Sequence, residues 1–351
     1  MKRLFAFLIA ISLLLSGCVV EIPVPAETTA ATATVTEGES FIIHYIDVGQ
    51  ADCILLENEG QYMLIDGGNR EDGQLVVSYL EQQGVQELAA VVCTHAHEDH
   101  VGGLPSVLAV YPTAAVYAPT KTYSSKIFDK FVYYTDQQGL EITIPEPGDN
   151  FTLGDVKLTV LGPVKSYPDP NNTSIVIMAE YGSTRFLFTG DMEKDAENDM
   201  LDYWDGRYNW NCDVLKSGHH GSSTSSSYRL IYEADPAYIV ISVGKDNTYG
   251  HPHRETIALY KDAGIPAFRT DELGHVIVTS DGSTVSVTWE KQNVQPEDVE
   301  PADLAYIGNK NSKKLHLSTC SGLPKAENQV TFDSYEDAIA AGYTPCSSCM
   351  G

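Results

Sequence analysis

Positive charge is scarce in this 351-residue chain: Lys and Arg together number 22 against 48 Asp and Glu, for a formal net charge of −26. A field of that sign repels polyanions within about a Debye length, so capture of nucleic acid by the surface as a whole is excluded. A phosphate substrate has to be met locally, by a metal or a small basic patch. Seven Cys, unevenly spread, make no even disulfide framework; Cys53, Cys93 and Cys212 lie in or beside apolar strand-like runs, where buried thiols are common. Beyond residue 15 no apolar run reaches membrane-spanning length. What is present is a balance of 43% hydrophobic and 20% charged residues, which buries a large core and excludes wholesale disorder. The length alone suggests about two domains.

The chain opens Met1-Lys2-Arg3, continues with an apolar stretch over 4–15, and reaches Leu15-Ser16-Gly17-Cys18. A basic start and a short apolar run read as a signal peptide over 1–17. The residues up to Cys18 resemble the bacterial lipobox, in which cleavage before the Cys leaves a lipid-modified N-terminus; an ordinary signal peptide with an incidental Cys is the alternative. The resemblance implies a lipid anchor on Cys18 and a place at the cell membrane, on its extracytoplasmic face. Residues 18–40, rich in Thr, Ala, Pro, Glu and Val without periodicity, read as a flexible tether. A second polar, acidic stretch over 291–304 reads as a linker between a main domain at 41–290 and a small unit at 305–351.

In the main domain, branched residues and Gly-containing turns predict strands over 41–48, 51–57 and 62–66, then a helix over 74–83 and a continuous apolar strand over 88–94. Further strands are expected over 157–161, 174–180, 184–189, 213–216, 237–243 and 275–279, with helices over 194–203 and 255–263. Such mixing over about 250 residues suggests two sheets with helices outside.

The 88–94 strand runs into Thr94-His95-Ala96-His97-Glu98-Asp99-His100-Val101-Gly102-Gly103. Three imidazoles and two carboxylates within six residues at a strand end can converge on Zn, Mn or Fe. Gly102 and Gly103 are expected to let the backbone turn tightly after them. His95, His97, Asp99 and His100 match in full the His-x-His-x-Asp-His motif of the metallo-β-lactamase superfamily, which the chain therefore resembles. Asp47-Val48-Gly49-Gln50-Ala51-Asp52, Asn171-Asn172-Thr173-Ser174, Phe188-Thr189-Gly190-Asp191, His219-His220-Gly221-Ser222 and Tyr249-Gly250-His251-Pro252-His253 look, within it, like the hydrolase domain of the competence-protein ComEC family.

The resemblance implies an α/β fold, a four-layer αββα metallo-β-lactamase sandwich with metals at one edge. It also implies one or two divalent ions (Zn or Mn): His95 and His97 on one, Asp99 and His100 on the other, and Asp191 bridging. Asp191 follows an apolar strand through Gly190, which suits a sheet edge, and equally suits a helix N-cap. His219 and His220 follow the strand at 213–216; at least one is expected to be a ligand, the other to contact substrate. Asp66, in Leu64-Ile65-Asp66-Gly67-Gly68, is expected either to orient a ligand imidazole from behind or to form a turn, and Gln50 and Asp52 share that ambiguity. No His occurs between His100 and His219, so the first metal is completed by His219, by the Asn172 side chain or by water, or binds weakly. Asp99 and His251 are the candidate catalytic residues, His251 stabilising charge or protonating a leaving group. His253 reads equally as a surface residue; His44 and His275 read as structural.

At the C-terminus, His316 and Cys320 precede Cys346 and Cys349, two close pairs that suit a closed tetrahedral zinc site stapling a small core. A disulfide between Cys346 and Cys349 is the alternative. The stretch from Tyr306 to Cys349 resembles the metal-binding domain of Ada, with His316 where a first Cys stands in the four-Cys version. Lys310, Lys313 and Lys314 form a basic edge, read first as a solvated loop.

Together these features point to a lipid-anchored metallohydrolase outside the cytoplasm. Nucleic acid, most of all extracellular DNA, or another phosphodiester is the expected substrate, membrane is the expected contact, and no protein partner is indicated. A choline-phosphate esterase of the envelope and a non-catalytic DNA-capturing lipoprotein are the alternatives.

Overall fold

A computed structural model describes residues 40–294, 296 and 305–350, except 319, 321, 334, 347 and 348. The signal segment, Cys18 and the tether up to residue 39 lie outside the described residues. Among those described, no helix is long and apolar enough to cross a membrane.

The opening apolar runs pair as an antiparallel meander, Phe41–Tyr45, Ile54–Asn58 and Gln61–Ile65, with Phe41 opposite Asn58 and Ile54 opposite Ile65. Ala90–Val92, Val116–Tyr117 and Ile142–Thr143 extend it in parallel. Val276–Ser280 pairs with Phe41–Tyr45 on the other side and is edged by Val285–Trp289, completing eight strands. The second sheet runs Ala267–Arg269, Tyr238–Ile241, Val214–Lys216, Thr184–Phe188, Val176–Tyr181, Val156–Gly162 and Asn150–Leu153.

Apolar residues on the facing sides of the two sheets, among them Phe41, Ile54, Met63, Leu158, Ile177, Phe186 and Val240, form the central core. Phe41 meets Phe186 edge-on, with ring centroids 5.2 Å apart, a geometry worth about 0.5–1.5 kcal/mol beyond burial. Helical spacing explains the outer layers. Gly73–Gln82 buries Val76, Tyr79 and Leu80, and Lys126–Gln137 buries Ile127, Phe128 and Phe131, both joining the core of the first sheet's outer face. Lys194–Trp204, Tyr228–Ala234 and Arg254–Asp262 cover the second sheet. The order is helices, sheet, sheet, helices.

Two expectations are corrected. The strand expected over 88–94 is confined to Ala90–Val92, and residues 93–97 form an irregular path that fans the histidines out. Gly102 and Gly103 have ordinary helical conformations, with φ −58° and −84°. They are glycine because backbone lies against them: a Cβ at Gly103 would sit 2.0 Å from the Gly67 carbonyl oxygen, and one at Gly102 2.3 Å from the Arg70 nitrogen.

The C-terminal unit is a four-stranded sheet ordered Gln329–Phe332, Tyr306–Asn309, Lys314–Leu317, Thr344–Pro345. It packs against the outer helices of the second sheet. The Tyr335 ring stacks on Tyr232 at 4.4 Å and on Tyr228 at 5.5 Å, the Tyr306 hydroxyl bonds Asp262, and Leu315, Leu317 and Met350 join the apolar cluster around Leu230.

Candidate metal centre

Side chains from three separate segments meet where strands of both sheets end. One ligand atom each from Asp99, His100, Asp191 and His220 lies within 4.8 Å of the others. Asp99 and His100 come from the short helix Glu98–Val101, Asp191 from the turn after Thr184–Phe188, and His220 from the turn after Val214–Lys216. His219 and His220 both adopt left-handed backbone, with φ 47° and 53°, a conformation costing about 1–2 kcal/mol per non-glycine residue. That turn sends the two rings apart. His220 faces Asp99 (3.2 Å) and Asp191 (3.4 Å), while His219 lies nearer the surface, 3.7 Å from Asp191 and 3.5 Å from Glu193.

Hydrogen bonds behind the cluster select tautomers. Asp66, itself left-handed at φ 59°, accepts from the Thr94 N–H (2.7 Å) and hydroxyl (2.6 Å) and from His100 Nδ1 (2.8 Å). In its neutral form His100 therefore presents the Nε2 lone pair to the cluster. His220 Nδ1 donates to the Ser242 carbonyl at 3.0 Å, with Asp52 Oδ1 at 3.3 Å, so its Nε2 also faces inward. Asp52 is held from the far side by the buried Lys216 ammonium at 2.6 Å.

Burial opposes charge on His100, but the carboxylates of Asp191, Asp66 and Asp99 outweigh it and hold the imidazole well above its usual range. Burial opposes charge on His220 too, and Asp191 and Asp52 raise it well above normal. Asp99 and Asp191 resist burial in the opposite sense: neighbouring imidazoles hold both carboxyls below their ordinary range. The pocket thus favours positive charge between fixed carboxylates. His100 Nε2 stands 3.2 Å from Asp191 Oδ2 outside hydrogen-bond geometry, and Asp191 Oδ1 is buried with no hydrogen-bond partner among the described residues. Two imidazole nitrogens and two carboxylates, with unsatisfied atoms directed inward, fit a divalent Zn, Mn or Fe ion.

His95 Nε2 and His97 Nδ1 approach to 3.1 Å beside this cluster, and burial with the neighbouring His100 keeps His95 neutral. His95 Nδ1 has Thr94 Oγ1 at 3.3 Å and Ser174 Oγ at 3.5 Å. The Asn172 side chain is placed elsewhere: its Oδ1 accepts from the Glu193 N–H at 3.0 Å, at the start of the helix Lys194–Trp204. Asn171, from the Asn171-Asn172-Thr173-Ser174 motif, and Asn69, which the sequence did not single out, line the pocket of about 470 Å³ over the cluster, together with Gln50, Tyr249 and His251.

The Gly244 N–H donates to Gln50 Oε1 at 3.0 Å, which turns the Gln50 amide nitrogen to His251 Nδ1 at 3.3 Å. His251 Nδ1 is therefore the acceptor, and Nε2 carries the proton. Burial and the imidazoles of His253 and His219 push His251 down to about 4, so near neutrality it donates a hydrogen bond from a neutral ring. His253 Nδ1 accepts from the Ser223 N–H at 2.9 Å. His44 bonds the Tyr79 hydroxyl at 3.0 Å, and His275, expected to begin a strand, lies just ahead of Val276–Ser280, with its Nδ1 accepting from the Asp47 N–H at 2.9 Å.

In the C-terminal unit, His316, Cys320, Cys346 and Cys349 offer ligand atoms within 4.8 Å of one another, and the three Cys are free of disulfides. Three thiols and an imidazole at that spacing suit tetrahedral zinc.

A family model described as "Metallo-beta-lactamase superfamily" matches residues 46–245, and one described as "Metal binding domain of Ada" matches residues 290–350. The chain is 30% identical over 262 residues to ComE operon protein 3 of Bacillus subtilis, covering 69% of this chain and 33% of that protein. It is 29% identical over 229 residues to recombination protein 2 of Haemophilus influenzae, covering 62% of this chain and 26% of that protein. The chain thus spans about a third or less of the length of these curated relatives. Among solved structures, the metallo-beta-lactamase fold protein YhfI from Bacillus subtilis aligns with a TM-score of 0.48 at 14% identity, over 69% of this chain and 100% of that one.

Proposed function

Because the chain belongs to the metallo-beta-lactamase superfamily, a group of metal-dependent hydrolases, we propose that it hydrolyses phosphodiesters, and in particular nucleic acid outside the cytoplasm. Its lipid-modified Cys18 would hold it at the outer face of the cell membrane, with the Ada-like module carrying its own zinc. The observation that carries this reading is the convergence of Asp99, His100, Asp191 and His220 from three segments, with buried atoms of His100 and Asp191 left without a hydrogen bond.

A divalent ion bound there, Zn or Mn, supplies Lewis acidity and activates water at neutral pH. The remaining work belongs to the chain. Asp66 and Ser242 fix the two inward imidazoles, so the ligand atoms are in place before substrate arrives. His95 and His97 offer a second, less complete pair of nitrogens. His251 directs an N–H into the pocket, where a departing or developing oxyanion needs a donor. Asn69, Asn171 and Tyr249 shape the mouth. Support for a nucleic acid substrate comes from the kinship with a protein named for recombination.

The test is incubation of the full chain with single-stranded DNA and Mn or Zn. Cleavage that disappears with chelator and in His97→Ala is expected. Hydrolysis of a small phosphodiester with DNA left untouched would move the reading to small esters, and hydrolysis of neither would remove it.

A further inference from the structure

Five imidazoles form a row across the centre. Ring centroids are 4.8 Å apart from His97 to His95, 4.1 Å from His95 to His100, 5.3 Å from His100 to His220 and 6.5 Å from His220 to His251. A groove opens at each end.

At the His97 end, a groove of about 620 Å³ is lined by Ala96, the residue between His95 and His97, and by Pro170, next to Asn171. Six prolines, 119, 145, 147, 163, 168 and 170, stiffen its wall. Half-buried Tyr123 lines it, and Tyr167, fixed by its hydroxyl on Asp199 at 3.0 Å, already has the Lys165 ammonium 5.3 Å over its ring. At the His251 end, a groove of about 650 Å³ shares His251 with the metal pocket and carries Lys245, Arg269 and Lys291 alongside Asp246, Asp271 and Glu272. Arg269 already holds Asp271 (2.7 Å) and Glu272 (2.8 Å), whereas Lys245 and Lys291 are exposed and in no ion pair among the described residues. In a chain of net charge −26, this groove sets three cations beside its three carboxylates, with Lys291 also acting on Asp47, so a polyanion is repelled less there than by the surface as a whole. Between the grooves stands Tyr249, 68% exposed and stacked on His251 at 5.7 Å.

We propose that the two grooves form one track, open at both ends, which seats a single-stranded polynucleotide across the row of imidazoles and so directs cleavage to internal bonds. Tyr249 and Tyr123 take unpaired bases, a contact every base can make, and Lys245 and Lys291 take phosphates. A duplex, whose bases are already stacked, gains nothing from the tyrosines. In the step itself, water adds its oxygen to phosphorus, one ester P–O bond breaks, and the second proton of water goes to the departing oxygen. A circle cut once therefore yields one linear strand of full length.

This inference rests on the phosphodiesterase reading, and the experiment separates the two. The full chain is given Mn or Zn and either a single-stranded DNA circle, the linear strand of the same sequence, or bis-p-nitrophenyl phosphate. Appearance of full-length linear strand from the circle is the expected result. Degradation of the linear strand with the circle intact overturns the track and leaves the hydrolase standing; no hydrolysis of any of the three overturns both. Binding measured by fluorescence anisotropy in chelator gives a second readout. Lys245→Glu with Lys291→Glu should weaken binding of single-stranded DNA about tenfold or more and flatten the salt dependence by about 1.4 in slope, the share of two phosphate contacts. Unchanged affinity and slope would show that the lysines do not hold the strand.

Discussion

The Nζ of Lys216 lies 2.6 Å from Oδ2 of Asp52, and both side chains are almost completely buried directly behind His220. Asp52 in turn stands 3.3 Å from His220 Nδ1. The ion pair therefore sets the floor on which one inward imidazole rests.

Removing the cation alone leaves a buried carboxylate uncompensated. Lys216→Met is expected to cost about 3–5 kcal/mol, measured by urea unfolding, with Lys216→Met/Asp52→Leu recovering part of it. Burial pushes the Asp52 carboxyl up, but Lys216 and His220 outweigh it and hold it below 3.8. Its folded pKa is depressed, so its contribution is complete above the unfolded value near 4 and is lost only as pH falls through the lower folded value. A wild-type stability loss near pH 6 traced to Asp52 would contradict this.

Asp66 touches no substrate-facing surface and acts through His100. Asp66→Ala should lower metal affinity by about 10–100-fold, read by competition with a metal-sensitive dye, and Asp66→Asn should recover part of it if the Nδ1 acceptor is what matters. Equal affinity in all three proteins would mean that Asp66 only shapes the turn.

How legible these roles were in the chain depended on range. The cluster from His95 to His100 declares itself because its ligands fall within six residues, and Asp66 and Asp191 could be placed at strand ends by the apolar runs before them. Lys216, Thr94 and Ser174 carry no such mark; they matter only because two sheets bring them beneath the imidazoles. Asn172 and Asn171 are neighbours of the same type, and only the short helical turn Asn171–Thr173 decides that Asn172 caps a helix while Asn171 faces the pocket. Helices Leu104–Val110, Lys126–Gln137 and Tyr228–Ala234 went unpredicted, as did short strands such as Val116–Tyr117. The stacking of Tyr335 on Tyr232 is a tertiary contact that no local pattern announces.

Metal uptake should displace protons. His100 and His220 are held above their ordinary range by surrounding carboxylates, burial notwithstanding, and each must be neutral to ligate. Apparent affinity is expected to rise with pH, with about one to two protons released per ion at pH 7. Calorimetry in two buffers of different ionisation enthalpy measures that number, and zero release would contradict the assignment.

His251 offers a neutral N–H oriented by Gln50. His251→Ala should lower kcat by about 10²-fold or more while metal content is retained. Gln50→Ala should give a smaller loss of the same kind, because the ring remains but its tautomer is no longer selected. Loss of the metal in either variant would place His251 among the ligands.

Whether residues distant in the chain jointly capture a cation is read by X-ray diffraction from crystals soaked in Mn or Zn and recorded at the metal edge. An anomalous peak is expected within about 2.0–2.2 Å of His100 Nε2, His220 Nε2 and oxygens of Asp99 and Asp191. A second peak among His316, Cys320, Cys346 and Cys349 would serve as the control within the same crystal. A map with density at the cysteines and none between Asp191 and the imidazoles would contradict such capture.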